Sequence, residues 1–169
     1  MKDARFVFGE NIVPLKAPVD SAGTAYASPY VDLKNAQHAT FFAYFGVVTA
    51  TSADQNVVVT IESSTSTTSN ATEVALAFKY RLSGATGANT WGAITTATSA
   101  GVSLDTTTVD GKLLAIDVDL AAIVAAHGQD DVRYVRLVMG IDAGGTVTLN
   151  SVWAELDPRY PQLTHLSAT

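Results

Sequence analysis

The amino-acid sequence predicts an all-β fold: an antiparallel β-sandwich, jelly-roll-like, with one short helix and an extended N-terminal arm. About seven to nine apolar or alternating runs of about five to ten residues are separated by turn-forming residues, as in the short strands of sandwiches and barrels. A single segment has convincing helical periodicity, whereas a parallel sheet would need a crossover helix between most strand pairs. The chain of 169 residues suits one domain.

Residues 1–36 are predicted to form the extended arm and the first strand. Pro14, Pro18 and Pro29 each lack an amide donor, so this segment cannot pair continuously within a sheet. It nevertheless has more apolar side chains than a solvated linker would have: Phe6, Phe8, Ile12, Val13, Leu15, Val19, Tyr26, Tyr30, Val31 and Leu33. We therefore expect it to run over a surface, either of this protein or of a neighbour.

The predicted sandwich covers residues 37–156 and opens with three strands. Residues 39–48 are apolar or aromatic on both alternating faces, which is typical of a central strand buried on two sides. Residues 57–62 and 73–82 alternate large apolar side chains with polar or small ones, as half-buried antiparallel strands do. Two polar or glycine-rich segments are predicted surface loops: 63–72 and 83–90.

The next part of the sandwich contains the predicted helix. Residues 95–104 and 106–109 are rich in threonine and are predicted as short strands or extended loop. Residues 112–118 alternate as a strand does. Asp119 can cap a helix over residues 120–126, because apolar residues recur there at helical spacing and Gly128 follows as a stop signal.

Two strands and a tail complete the prediction. Residues 133–139 and 146–156 are strand-like, and the sequence Asp142-Ala-Gly-Gly145 between them favours a hairpin. Trp153 lies at the centre of an apolar run and is predicted to lie in the core. Residues 157–169 form a predicted C-terminal tail.

Composition disfavours several classes of partner. The net charge is -6, and the ten basic residues are scattered, whereas binding of a phosphate backbone needs clustered Lys and Arg. We therefore expect no nucleic-acid partner. Arg133 and Arg136 are close in sequence, and we expect them on a strand surface or across a subunit contact.

Other composition features concern compartment and stability. The chain has no cysteine, which excludes disulfides and cysteine metal sites. No run approaches the ~20 apolar residues that span a bilayer. The first apolar patch is much shorter than the roughly seven residues of a signal-peptide core. We expect no membrane partner, and we expect the protein to stay in the compartment where it is made.

No sequence pattern indicates catalysis. His38, His127 and His165 are far apart and lack metal-ligand spacing, and the turn aspartates lack a calcium-loop pattern. The Gly-x-Ser-x-Gly turn of many serine nucleophiles is absent from the sequence, and the loop Ser83–Gly87 lacks the Gly-Lys-Ser/Thr ending of a phosphate loop. We expect no catalytic residue, no metal and no cofactor, and we do not expect an enzyme.

Aromatic residues leave a binding function open. Trp91, Trp153, Tyr134 and Tyr160 could form a carbohydrate-stacking platform, because their rings combine an apolar face with a polar edge. The same residues could instead fill a core. Trp91 lies beside a glycine-rich loop and is the better candidate for a surface position.

A set of short segments carries a family resemblance. In their order, and with the proline-bearing arm, they resemble small virion proteins of tailed bacteriophages, the capsid decoration or cement proteins. The resemblance covers most of residues 11–169, and its motifs are not catalytic. The segments are Ala77–Gly84, Thr90–Thr98, Asp110–Lys112, Ile116–Asp119, Arg133–Leu137 and Asp157–Gln162.

This resemblance implies a structural virion protein that binds the outer surface of a tailed-phage head and stabilises it through subunit contacts. The implied partners are the major capsid protein and sister copies in a homotrimer, with residues 1–36 or the tail from Asp157 crossing to a neighbour. The protein would be made in the host cytoplasm and act on the capsid surface. Aromatic anchors supply most of the energy in such contacts, and the expected interaction residues are Phe6, Phe8, Tyr30, Arg133, Arg136, Tyr160 and Leu163.

Two other functions stay open. A carbohydrate-binding β-sandwich module on the virion surface would need an exposed aromatic row around Trp91. A tail or head-completion component would form rings, and its copy number per particle would separate it from a decoration protein.

Overall fold

The computed structural model describes residues 11–16, 19–22, 25–49, 55–67, 73–128, 132–141 and 146–158. These residues form thirteen strands and two helices. The strands are β1 (Asn11–Lys16), β2 (Val19–Ala22), β3 (Tyr26–Ala27), β4 (Val31–Asp32), β5 (Ala36–Thr49), β6 (Asn56–Ser64), β7 (Val74–Leu76), β8 (Phe78–Leu82), β9 (Thr95–Ala97), β10 (Val102–Asp105), β11 (Leu113–Asp119), β12 (Tyr134–Ile141) and β13 (Thr146–Pro158). The helices are α1 (Thr106–Val109) and α2 (Leu120–His127).

The described strands form two antiparallel sheets. Sheet I has the order β1-β13-β5-β11-β8-β9, and β2 also pairs with β13. Sheet II has the order β10-β6-β12-β3, with β4 also on β12 and β7 also on β6. The chain crosses repeatedly between the sheets, as from β5 to β6 and from β11 to β12, which is the wrapped path of a jelly roll. The predicted antiparallel sandwich is confirmed.

The hydrophobic core fills the space between the two sheets. Phe41 and Phe45 on β5, Ile61 on β6, Ile116 on β11 and Leu137 on β12 are all 0% exposed. Each such side chain contributes roughly 1.5–3 kcal/mol when it is fully buried. Burial of these inward-facing side chains therefore holds the two sheets together.

The described part of the predicted arm lies within the sandwich. Strands β1 and β2 pair with β13 in sheet I, while β3 and β4 pair with β12 in sheet II. The pairing is discontinuous, as the prolines predict: the register shifts between Pro14 and Lys16. Leu15, Val31 and Leu33 are buried in the core, so the protein's own body covers these apolar side chains.

The central strand β5 differs from its prediction on one face. Phe41 is fully buried, but its neighbour Phe42 is half-buried on the outer face of sheet I. Trp153, predicted in the core, lies on that outer face and stacks on Phe42 with the ring centroids 5.2 Å apart. The core prediction for Trp153 was wrong because strand alternation turns its neighbours Val152 and Ala154 inward.

The predicted hairpin between the last two strands is also wrong. Strand β12 lies in sheet II beside β6, β3 and β4, whereas β13 lies in sheet I beside β5, β1 and β2. Both edges of each strand already have other partners. The turn sequence at 142–145 lies outside the described residues, and a turn signal alone does not determine which strands pair.

Each of the two described helices begins after a capping aspartate. Helix α2 is confirmed: the Asp119 side chain accepts a hydrogen bond from the amide of Ala121, and Gly128 ends the helix at φ 65°. Residues 106–109, predicted as strand or loop, instead form α1, because Asp105 accepts from the amide of Thr107 at 2.7 Å while Thr106 and Val109 are buried. No helix in the described residues is long and apolar enough to cross a membrane.

Candidate functional site

The outer face of sheet I carries a row of five side chains: three aromatic residues, an alanine and an arginine. The strand register places Trp153 opposite Phe42, Phe42 opposite Ala115, and Ala115 opposite Arg81. The Arg81 guanidinium then lies over the ring of Trp91, 4.5 Å from its centroid. We call these five residues the outer aromatic row. Three strand spacings of ~4.8 Å give the part from β13 to β8 a length of about 14 Å.

A groove of roughly 450 Å³ lies along one side of this row. We call it the aromatic groove. Its aromatic lining consists of Tyr44, Trp91 and Trp153, and its polar lining includes Asn89, Thr90 and Ser151. In the part of the chain that the structure describes, the side chains of Tyr44, Asn89, Thr90 and Ser151 have no hydrogen-bond partner. These groups are available to bind a ligand.

The loop that walls the aromatic groove is fixed by hydrogen bonds. The amide of Gly84 donates to the carbonyl of Thr90 at 2.8 Å, and the hydroxyl of Thr86 donates to the carbonyl of Gly111 at 2.8 Å. The hydroxyl of Ser83 accepts from the amide of Leu113 at 2.9 Å. The groove therefore has its shape before any ligand binds.

A second groove, of roughly 270 Å³, lies on the other side of the row. We call it the charged groove. It is lined by Phe42 and Ala115 together with Lys79, Arg81 and Asp117, and by Thr40, Tyr80 and Ile94. Ile94 is 69% exposed. Phe42 stacks on Trp153 and Arg81 on Trp91, so the outer aromatic row forms the boundary that the two grooves share.

The outer face of sheet II holds two of the predicted interaction residues, Tyr30 and Arg136. A terminal nitrogen of Arg136 contacts Glu62 at 2.8 Å and Glu73 at 2.7 Å. The hydroxyl of Tyr30 donates to Glu73, and the guanidinium of Arg136 lies 4.8 Å from the centroid of the Tyr30 ring. We call these four residues the sheet II network. Its one cation and two carboxylates satisfy one another within the chain.

Burial and these contacts change the acidity of the sheet II network. Burial, and then the hydrogen bond to Glu73, raise the pKa of Tyr30 to about 12. Burial by itself lowers the pKa of Arg136, but the hydrogen bond to Glu62 and the nearby negative charges outweigh it and raise that pKa. Both groups therefore keep their protons throughout the neutral range.

Arg133 lies apart from this network. Its Nε is 3.2 Å from Asp32, and a terminal nitrogen donates to the Tyr134 hydroxyl at 2.8 Å. The side chains of Arg133 and Asp32 are 39% and 42% exposed, and such exposed ion pairs contribute little to stability. The two arginines predicted as a pair are each engaged with a different set of partners.

The other four predicted interaction residues, Phe6, Phe8, Tyr160 and Leu163, lie outside the described residues. The positions where their segments join the fold are nevertheless described. Asn11 on β1 pairs with Leu156 on β13. The segment before residue 11 and the segment after residue 158 are thus attached at one end of sheet I, on neighbouring strands.

One contact resembles part of a catalytic dyad. The Ser63 hydroxyl oxygen is 2.8 Å from Nε2 of His127, but Ser63 is 0% exposed and its hydroxyl donates to the carbonyl of Val74 at 3.1 Å. With that proton engaged, Ser63 accepts from His127, so the contact is structural. Among the described residues no three His, Cys, Asp or Glu side chains group as a metal site.

Sequence reasoning identified Trp91 as a surface candidate, named Trp153 as a possible stacking residue but placed it in the core, and missed Phe42 and Tyr44. The signal for Phe42 and Tyr44 was present in the strict alternation of β5, where every second residue from Ala39 to Phe45 is buried. The large residues between them were assigned to a second buried face. Nothing in the sequence alone indicated that this face has no covering layer among the described residues.

Comparison with known proteins gives little further guidance. No protein-family description matches the sequence, and no curated protein is significantly similar to it. A solved structure titled "Structure of infectious bursal disease virus Gt strain" aligns with a TM-score of 0.24 and 13% sequence identity, over 89% of this chain and 40% of that chain. The chain thus spans less than half the length of that protein, and a TM-score this low carries no argument.

Proposed function

We propose that this protein is a structural component of a virion, a decoration protein that binds the outer surface of a tailed-phage head and stabilises it. Its partners in this proposal are the major capsid protein and sister copies arranged as a homotrimer. It is made in the host cytoplasm and acts on the capsid surface. The segments that resemble phage decoration proteins and the jelly-roll fold support this proposal.

The observation that carries it is the side-by-side attachment of the two terminal segments. Asn11 pairs with Leu156, and Pro158 pairs with Ala36, so both segments start from one end of sheet I. Two anchoring segments that start side by side bind as a pair, because the first contact raises the effective concentration of the second.

The described surface at this end fits an attachment role. Ile12, one residue into β1, is 40% exposed and adds an apolar side chain beside the anchors. The side-chain amide of Gln37 donates to Asp157 at 3.0 Å, which ties the end of β13 to β5. By contrast, the polar groups of Tyr30 and Arg136 bind within their own chain, so we assign the main attachment energy to the terminal anchors.

The test uses full-length protein and undecorated phage heads. We expect the paired substitutions Phe6→Ala with Phe8→Ala, or Tyr160→Ala with Leu163→Ala, to weaken head binding at least tenfold, as loss of aromatic anchors does. Binding is measured as copies per purified head across a concentration series. Trp91→Ala is the matched control, since it removes an aromatic ring elsewhere on the surface and should bind heads normally.

The oligomer is tested in the same samples by light scattering, where a homotrimer is expected. Circular dichroism and the melting temperature show whether each variant is folded. If both paired variants are folded and decorate heads as the unchanged protein does, the terminal segments are not the attachment site. If the unchanged protein does not bind heads at all, the decoration function itself is wrong.

A further inference from the structure

We propose that the outer face of sheet I binds an oligosaccharide, with the aromatic groove and the charged groove as adjoining subsites. This function is separate from attachment to a head and does not depend on it. The proposal follows from the available ring faces, from the unengaged polar groups beside them, and from the fixed shape of the groove.

The ring faces provide the apolar part of the site. Trp91 is 38% exposed although Arg81 covers one face of its ring at 4.5 Å. That contact fixes the indole in place and leaves its other side to a ligand. Trp153 is held by stacking on Phe42, with an interplanar angle of 13°, has Pro14 as its register partner on β1, and lines the aromatic groove. Fixed aromatic rings that are apolar on the face and polar at the edge suit the C–H faces of sugars.

The polar groups provide the hydrogen bonds. Tyr44, Thr90 and Ser151 each offer a hydroxyl, which both donates and accepts, and Asn89 offers an amide with both functions. Sugar hydroxyls need the same mixture of donors and acceptors. In the adjoining charged groove, Lys79 and Arg81 add donors and Asp117 adds an acceptor.

A second protein surface would fit this face less well. Four polar side chains without partners in the described residues would lose water on docking, which costs free energy unless each finds a partner in the new interface. A saccharide brings its own hydroxyls to them. The row's length of about 14 Å accommodates more than one sugar ring, so an oligosaccharide rather than a single sugar is the expected ligand.

The groove is also organised in advance, which lowers the entropy cost of binding. Its wall is closed by the bond between Gly84 and Thr90. A Cβ atom added at Gly84 would lie 2.2 Å from the Thr90 hydroxyl oxygen. Gly84→Ala should therefore displace Thr90 and weaken saccharide binding, even though residue 84 lies in a surface loop.

The test titrates full-length protein with purified oligosaccharides by isothermal titration calorimetry, a readout that does not depend on the tryptophans of the groove. The probes are cellohexaose, chitohexaose, maltohexaose, xylohexaose and the detached O-polysaccharide of a Gram-negative lipopolysaccharide. We expect at least one probe to bind and Trp91→Ala to weaken that binding at least tenfold. Tyr134→Ala is the matched control: Tyr134 also lies beneath an arginine, with Arg133 5.0 Å from its centroid, but on β12 of sheet II.

A second variant separates loss of the site from misfolding of Trp91→Ala. Asn89→Ala combined with Ser151→Ala removes two polar groups of the groove without removing a ring, and should weaken binding several-fold in a folded protein. Absence of binding by all probes up to about 10 mM overturns the proposal. Binding that is unchanged both in Trp91→Ala and in the Asn89→Ala, Ser151→Ala variant also overturns it. A protein that binds no probe and loses its oligomeric state in Trp91→Ala would identify this face as a contact between copies.

Discussion

The outer faces of the two sheets use their polar and aromatic groups in opposite ways. On sheet II, Arg136 contacts both Glu62 and Glu73, and Tyr30 donates to Glu73, so the charges satisfy one another. On sheet I, Tyr44 and Trp91 line an open groove. The comparison teaches that charged residues on a strand surface can be structural, while the face proposed to bind a ligand is the one where several polar side chains have no hydrogen-bond partner in the described fold.

Burial explains why the sheet II network should matter for stability. The side chains of Arg136, Glu62 and Glu73 are 18%, 23% and 18% exposed, so water screens their charges less than it screens ordinary surface pairs. The cation of Arg81 instead lies over the Trp91 ring at an exposed position. The two arginines thus provide a matched pair of substitutions, one in each face.

The largest effect is expected from Arg136→Met. Removing the cation leaves two partly buried carboxylates close together, and we expect the free energy of unfolding to fall by about 2–3 kcal/mol. The matched control Arg81→Met should cost less than about 1 kcal/mol, because it removes one cation–π contact at an exposed site. Urea unfolding at pH 7 measures both. Equal losses in the two variants would contradict the difference between the faces.

A smaller effect tests whether the outer aromatic row is a single packed unit. In a double-mutant cycle, Phe42→Ala and Trp153→Ala should show a coupling energy of about 1 kcal/mol, because their rings stack. Phe42→Ala combined with Tyr134→Ala is the control pair, since these residues lie in different sheets and their effects should add. A zero coupling between Phe42 and Trp153, again from urea unfolding, would mean that the rings are held independently.

These two faces also show how far sequence reasoning reached. Alternation of apolar and polar residues was sufficient for β6 and β11, and the Asp119 cap with Gly128 was sufficient for α2. The sequence did not predict which strands share a sheet. Strand β12 pairs with β6 rather than with β13, and that choice depends on contacts between residues far apart in sequence. Arg136 was chosen for its position near Arg133, but only the fold brings Glu62 and Glu73 to it. Phe42 and Trp153 were assigned to buried positions because a strand sequence does not say whether a further layer covers its second face.

The smallest effect concerns the proton that closes the sheet II network. Burial and the hydrogen bond to Glu73 raise the pKa of Tyr30 from 10.0 to about 12. Between these values the unfolded chain has released the phenol proton while the folded chain retains it, so the free energy of unfolding falls as pH rises through this window. At pH 8 we expect Tyr30→Phe to cost about 0.5–1.5 kcal/mol for the lost hydrogen bond.

That cost should shrink above pH 10. The variant has no phenol proton to release at residue 30, so its stability falls less steeply with pH. Tyr26→Phe in the same sheet is the comparison for burial without a carboxylate partner. Burial alone raises the pKa of Tyr26 to about 12, and its hydroxyl donates to the carbonyl of Leu15 at 3.2 Å, so the stability of this variant should also fall less steeply with pH. Urea unfolding at pH 8, 10 and 11 gives the slopes. If the free energy of unfolding of Tyr30→Phe has the same pH slope as that of the unchanged protein, the Tyr30 proton does not stabilise the sheet II network. The contacts of Arg136 with the two carboxylates would then stabilise the network without it.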